Sequence, residues 1–250
     1  MKYLKLFDTE SNYLAYRDGS DYLKPNVSLS DYNGEVYYNY LPPDFNGHDY
    51  VDLGLPSGTL WATMNVGASK PSDYGLYFQW GDTQGYTAAQ VGIGDGKKKF
   101  ASDWSDYKWR LSGDSFDNVA FTKYTNLGET LELEDDAAYA NMGGDWHMPT
   151  FDQIWELISH TTTAWTTSDG VSGMTFTSHK DKSKSIFIPN AGFARNGTIV
   201  NSGKIGCLWS SMVSRDDIYE CSTFEIASYG AVISGGGNRY EGQSVRGVIG

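Results

Sequence analysis

The stretch ELEDDAAYANMGGDWHMPTFDQIWELIS, residues 132–159, places two short helices in the middle of an otherwise strand-like chain. The first is expected from about Leu133 to Met142. Glu132, Glu134, Asp135 and Asp136 cluster at its start, where carboxylates complement the helix dipole, and Gly143-Gly144 supplies a left-handed cap at its end. The second follows Pro149: Thr150 and Gln153 have capping-box spacing, and Phe151, Ile154, Trp155 and Ile158 recur on one apolar face. Upstream, Val51-Asp52-Leu53 and Thr59-Leu60-Trp61-Ala62 read as strands around a Pro56-Ser57-Gly58 turn. Downstream come strand-like segments at Ser185–Pro189, Gly192–Arg195, Thr198–Val200 and Cys207–Ser211, with an Asn196-Gly197 turn between the second and third. Strands, two helices and further strands predict an α+β fold.

Residues 1–45 read as a separate small β-rich module: a strand Tyr3–Phe7, a short helix near Ser11–Arg17 and two strands flanking Asn33-Gly34. So small a unit has little core of its own and is expected to pack on a neighbour or mediate assembly. Leu41-Pro42-Pro43-Asp44-Phe45-Asn46-Gly47 is the natural linker to a larger domain, residues 46–250.

A chain of 250 residues buries roughly 70–75% of its unfolded surface, enough for a sizeable core without disulfides. Eight Trp and eighteen Tyr beside twenty-nine Gly describe a turn-rich protein with an aromatic core. The net charge of −12 repels phosphate backbones and anionic lipid, so nucleic acid is a poor partner. Lys97-Lys98-Lys99, among Gly92, Gly94, Asp95 and Gly96, reads as a solvated loop tip and lacks phosphate-loop spacing. The opening MKYLKLFD is too short and interrupted an apolar run for a signal peptide, although a chain whose leader had been removed would read the same. Nothing later approaches a membrane span, so no membrane insertion is expected.

The last forty-five residues, GCLWSSMVSRDDIYECSTFEIASYGAVISGGGNRYEGQSVRGVIG (206–250), keep a strand-like frame while their chemistry changes at every step. The pleat sends Ile218, Phe224 and Ile226 inward and Tyr219, Cys221, Thr223 and Glu225 outward. Ser234-Gly235-Gly236-Gly237-Asn238 is expected to project as a flexible rim. An ordinary edge hairpin with an arbitrary solvent face explains the alternation equally well. A thiol exposed at Cys221 fits a reducing compartment.

Several phrases carry a family resemblance: VDLGLPSGTLWATMNVGA (51–68), DYGLYFQWGDT (73–83), LELEDDAAYANMGGDWHMPTFDQIWEL (131–157), SIFIPNAGFARNGT (185–198), CLWSS (207–211) and GQSVRGV (242–248). Spanning roughly residues 48–250, they resemble the major-paralogous-domain proteins of gut Bacteroidetes and their phages, hypervariable proteins diversified by retroelements. WHMPTFDQIWEL is also similar to the helix-opening segment of the formylglycine-generating-enzyme branch of the C-type lectin fold. The resemblance implies a C-type lectin-like domain, two helices packed on small antiparallel sheets. It also implies a non-enzymatic ligand- or receptor-binding role, such as the tip of a phage tail, on a virion or bacterial cell surface.

In such proteins variable positions lie between fixed phrases that Trp209-Ser210-Ser211 and Ser244-Val245-Arg246 match here. Carried over by position, the implied variable residues are Leu208, Met212, Arg215, Asp216, Asp217, Tyr219, Cys221, Thr223, Glu225, Ser228, Tyr229, Val232, Ser234, Asn238, Tyr240 and Glu241. Such regions are often rich in Asn and Tyr from adenine-containing codons; Asn238, Tyr219, Tyr229 and Tyr240 fit that bias. The Gly230–Gly237 stretch is longer than the family pattern. The implied partner is a host cell-surface protein or glycan, and residues 1–45 would join copies of the chain or a virion partner. A fixed-specificity bacterial adhesin or fimbrial tip binding glycans is the rival within the same fold.

An enzymatic rival resembles the formylglycine-generating oxidase, which uses cysteines as copper ligands. This chain offers Cys207 and Cys221 alone, and the strand reading does not aim both into one pocket, so no catalytic residue and no cofactor are expected. His48, His147, His160 and His179 sit in unrelated contexts with no GxSxG elbow. Glu132, Glu134, Asp135 and Asp136 could gather oxygens for calcium, but the helix dipole accounts for them, so no metal is expected. Asp103, Asp106, Asp114 and Asp117, in an insertion with Trp104 and Trp109, are expected to solvate a loop.

Overall fold

The computed structural model describes residues 43–113 and 119–250 in full, together with the backbone of two strands near the N-terminus. The chain divides into compact units Met1–Asp44 and Phe45–Gly250. In the first, β1 (Leu4–Phe7) pairs antiparallel with β2 (Tyr37–Tyr40), Leu4 opposite Tyr40. The helix expected at 11–17 and the Asn33-Gly34 turn lie outside the described residues, as do Asp114 and Asp117.

The second unit runs β3 (Tyr50–Val51), β4 (Leu60–Asn65), β5 (Arg110–Ser112), β6 (Ala120–Phe121), α1 (Ala137–Met142), α2 (Phe151–Ser159), β7 (Thr161–Ser168) and β8 (Val171–Ser178). It continues with β9 (Ser185–Pro189), β10 (Phe193–Arg195), β11 (Thr198–Val200), β12 (Ile205–Val213), β13 (Glu220–Ala227), β14 (Gly230–Asn238) and β15 (Arg246–Ile249). Three antiparallel sheets of order β15-β4-β3, β7-β8-β9 and β12-β13-β14 dominate, with β5-β6 and β10-β11 as two-stranded additions. This is an α+β architecture of small antiparallel sheets with few helices. The closing strand β15 lies beside the early strand β4, Arg246 opposite Asn65, and so fastens the two ends of the unit together.

Local chemistry explains the helices. Thr150 and Gln153 form the expected capping box: the Thr150 hydroxyl accepts from the Gln153 N–H at 3.3 Å, and the Gln153 side chain accepts from the Thr150 N–H at 2.9 Å. The buried face of α2 is Ile154 and Leu157; Trp155, expected inward, is 60% exposed. With nine residues the helix has little more than two turns, and the core-facing stripe falls on 154 and 157 rather than 155.

The first helix is shorter than expected. Leu133–Asp135 is a 3₁₀ turn, and Asp136 caps α1 by accepting from the Tyr139 N–H at 2.9 Å, while its other oxygen accepts from Met148 N at 2.8 Å. Gly143 ends it as a glycine, but at φ 69° and ψ −162°, a positive-φ extended conformation rather than the left-handed cap expected. Asn196-Gly197, with φ 51° and 74°, makes the expected tight turn between β10 and β11. The β7–β8 hairpin is not among the expected strands, although its Asp169-Gly170 turn has the same positive-φ chemistry (48° and 79°).

The β12-β13-β14 sheet is packed on both faces. Register rows Leu208–Phe224–Ile233 and Gly206–Ile226–Ala231 face a cluster with Leu53, Trp61, Ile154, Leu157, Phe176 and Val248. Rows Cys207–Glu225–Val232 and Trp209–Thr223–Ser234 occupy the opposite face. There Trp209, with Val213 and Cys221, joins a second cluster containing Phe78, Trp80, Trp146 and Val245.

The glycine run predicted as a projecting rim is part of β14, with a bulge setting Cys221 opposite Gly237 and Thr223 opposite Ser234. A Cβ at Gly237 would sit 2.4 Å from the Trp209 ring and 2.3 Å from the Thr223 hydroxyl, so glycine is required by close packing rather than by a turn. Gly237→Ala is accordingly expected to destabilise the fold by about 2 kcal/mol through overpacking, measured as a lower urea midpoint with unchanged slope.

Candidate functional site

The phrases CLWSS and SVR form a rigid frame under the C-terminal strands. The Trp209 indole N–H donates to Phe78 O at 2.7 Å, and the Trp80 indole N–H donates to Ser210 O at 2.9 Å, locking β12 to the 77–80 segment. Arg246 is fully buried and donates to Asn65 Oδ1 at 2.9 Å, Ala62 O at 3.0 Å and Phe187 O at 3.0 Å. Burial without a carboxylate partner lowers its pKa to about 9, which still leaves it charged at neutral pH.

The sixteen implied variable positions separate on this frame. Arg215, Asp216, Ser228, Tyr229 and Val232 are exposed, and Met212, Asp217, Tyr219, Glu225, Ser234 and Asn238 are half-buried. Leu208, Cys221, Thr223, Tyr240 and Glu241 are buried, which corrects the expectation that they face outward. Leu208 lies on the face packed against α2. Cys221 and Thr223 lie on the opposite face as alternation predicts, but that face is itself covered near β12.

Part of the cover is the insertion around residues 101–125. Trp104, Tyr107, Val119 and Phe121 form a cluster with Tyr240, and Tyr219 packs against it, its ring 6.0 Å from those of Trp104 and Phe121. Arg239 ties this cluster down: buried, it donates to Tyr124 O at 2.9 Å with its guanidinium 4.6 Å from the Phe121 ring and 5.2 Å from that of Trp80. The two described carboxylates of the insertion, Asp103 and Asp106, are structural. Asp103 caps a 3₁₀ turn through Ser105 N at 2.9 Å, and Asp106 pairs with Lys98 at 3.2 Å, so Lys98 is no solvated loop tip either.

The exposed positions form two patches at opposite ends of β13, about 25 Å apart for its eight residues. At the hairpin end, the Tyr229 ring is 68% exposed and its hydroxyl donates to Glu225, whose register partner Val232 is 42% exposed. That hydrogen bond, with burial and the carboxylate's charge behind it, pushes the Tyr229 hydroxyl up to about 12. At the loop end, Arg215 stacks 4.4 Å over Phe151 and reaches Asp152 at 3.4 Å. Trp155, one turn along α2 from Asp152, extends this patch; its helical spacing alone gave no sign of exposure.

The two thiols do not form a pair. Cys207 lies opposite Glu225 and Cys221 lies opposite Val213, four residues along β13 and about 13 Å away. Burial, aided by Glu225 and Glu241, pushes the Cys207 thiol up to about 12, and burial also raises that of Cys221, so neither is a ready thiolate ligand. Glu241 is itself raised by burial, against the pull of Arg195 at 3.2 Å.

Among the described residues, Glu132, Glu134 and Asp135 are the group whose oxygens converge as cation ligands would. The Lys123 ammonium stands among them, 2.5, 3.0 and 2.6 Å away respectively, and Lys108 adds a second contact to Asp135 at 3.0 Å. The acidic run therefore serves the helix dipole less than expected; Asp136 caps α1, and its neighbours pair with Lys123. Burial acts to raise Asp135, but hydrogen bonds from Lys123, Tyr124 and Lys108 outweigh it and hold the carboxyl below its usual range. Its contribution is complete above its unfolded pKa of about 3.9 and is lost as pH falls through the lower folded value. In acid titrations below about pH 4, the native chain should lose stability more steeply than Asp135→Asn.

Compared with protein-family models, curated proteins and solved structures, the chain finds no match in any of the three. No helix among the described residues is long and apolar enough to cross a membrane.

Proposed function

We propose that this chain is a C-type lectin-like, retroelement-diversified receptor-binding protein without catalytic activity, suited to the tip of a phage tail and directed at a host cell-surface protein or glycan. The observation that carries the reading is the contrast between a locked frame, formed by β12 and the neighbouring strand β15, and the open β13–β14 hairpin beside it. Trp209, Ser210 and Arg246 are buried and hydrogen-bonded, while Glu225, Tyr229 and Val232 stand on the β13–β14 hairpin with room to change. Substitution there removes few core contacts, so side chains can vary at little cost in stability. An exposed Tyr ring and an Arg stacked on Phe151 are the rigid, amphipathic anchors that dominate recognition surfaces.

The proposal is tested with the labelled chain and intact cells of a panel of gut Bacteroidetes strains. Binding to at least one strain is expected, with Tyr229→Ala weakening it roughly 30-fold, about 2 kcal/mol, at unchanged melting temperature. Absence of binding across the panel, or binding indifferent to both Tyr229→Ala and Arg215→Ala, would overturn it.

A further inference from the structure

On the far side of the β7-β8-β9 sheet from the core lies a groove of about 390 Å³, within the usual range of small-ligand sites. Register places Ala164–Thr175–Phe187 and Thr162–Thr177–Ser185 in rows on this outer face, while Phe176 and Ile186 point to the core. None of the ten lining residues is charged, in a chain of net charge −12, and six of them carry hydroxyls: Thr63, Thr166, Thr167, Ser168, Thr175 and Ser185.

The groove is built rather than incidental. Thr166 and Thr175 hydroxyls are 2.8 Å apart, so one donates to the other and both keep capacity for a further partner. The half-buried Phe187 ring leans over Gly173, where a Cβ would come within 2.4 Å of it, and Phe187 O is held by Arg246 from within. At one end Pro71 forms a wall. Its loop is pinned to the β7–β8 turn by Ser72, which donates to Asp169 at 2.8 Å, and by Lys70 at 3.3 Å.

We infer that this groove binds an uncharged saccharide unit. Hydroxyl side chains donate and accept alike, matching the paired donor and acceptor character of sugar hydroxyls, and the fixed Phe187 ring offers an apolar plane for the C–H face of a pyranose. A charged ligand would leave its charge unanswered there. No lining residue is a carboxylate, so the hydroxyl groups and the Phe187 ring carry the proposed recognition. This surface is separate from the β13–β14 hairpin and does not depend on the function proposed for it.

The test is saturation-transfer NMR of the full chain with mannotriose, cellotriose and chitotriose in the presence of EDTA. Transfer from the protein to at least one trisaccharide is expected, reduced tenfold or more by Thr175→Lys in the floor and by Ser185→Lys at the exposed rim, and unchanged by Tyr229→Ala. Ser185→Lys keeps the test decisive if Thr175→Lys fails to fold. No transfer to any of the three, transfer that survives Ser185→Lys, or loss with Tyr229→Ala would each overturn the assignment.

Discussion

Trp209→Ala is expected to cost about 4 kcal/mol, a large share of the roughly 5–15 kcal/mol that holds a typical domain folded. The indole is fully buried against Trp80, Val213 and Val245, and its removal opens a cavity that the two flanking sheets cannot close. It also strands the Phe78 carbonyl, which accepts the indole N–H at 2.7 Å, and withdraws the ring that fits the missing side chain of Gly237. Trp209→Phe restores part of the volume but not the hydrogen bond, and should recover roughly half of the loss. Urea unfolding of the three proteins measures this order directly, and a Phe variant no better than Ala would locate the energy in the hydrogen bond rather than in packing.

Arg246→Ala is expected to cost about 3–5 kcal/mol, because it leaves Asn65 Oδ1, Ala62 O and Phe187 O facing a cavity. These three acceptors belong to β4 and β9, so one side chain on the closing strand ties two sheets together. Arg246→Met tests the account from the other side. It fills much of the volume and abolishes the cost of burying a charge, yet leaves the acceptors unmet, so its loss should fall to about half that of Ala. Arg246→Lys reaches at most part of the set, since an ammonium lacks the planar fork. A Met variant as stable as the native chain would show that the hydrogen bonds only offset desolvation.

What was legible in the residues is the local chemistry. Thr150 with Gln153 and Asn196-Gly197 produce the cap and turn that their types demand, and Gly143 ends its helix at a positive φ, because those interactions span four residues or fewer. Alternation likewise placed Phe224 and Ile226 toward the core and Thr223 and Glu225 on the other face. It could not say whether that second face met water. Its cover comes from Phe78 and Trp80 and from the insertion carrying Trp104 and Phe121, more than ninety positions earlier in the sequence. Cys221 and Thr223 therefore read as outward from alternation, and Tyr240 and Glu241 as variable from the resemblance, yet all four are buried. Gly237 misled for a related reason: a glycine needed by a tryptophan ring twenty-eight residues away looks in sequence like one needed by a loop. Trp155 shows the opposite error, since a two-turn helix leaves the phase of its apolar stripe open by one residue.

The contrast between the locked frame and the open hairpin makes the central claim directly testable in the gene. Sequencing the parent locus and comparing its 3′ end with any nearby near-copy reports which codons have been allowed to change. Differences are expected to be confined to template adenines and to fall on codons for Arg215, Asp216, Glu225, Ser228, Tyr229 and Val232, with Trp209, Ser210 and Arg246 spared. No near-copy, or differences scattered over the codons of Trp209, Phe224 and Arg246, would contradict diversification of this surface and leave a fixed-specificity adhesin as the reading of the same edge.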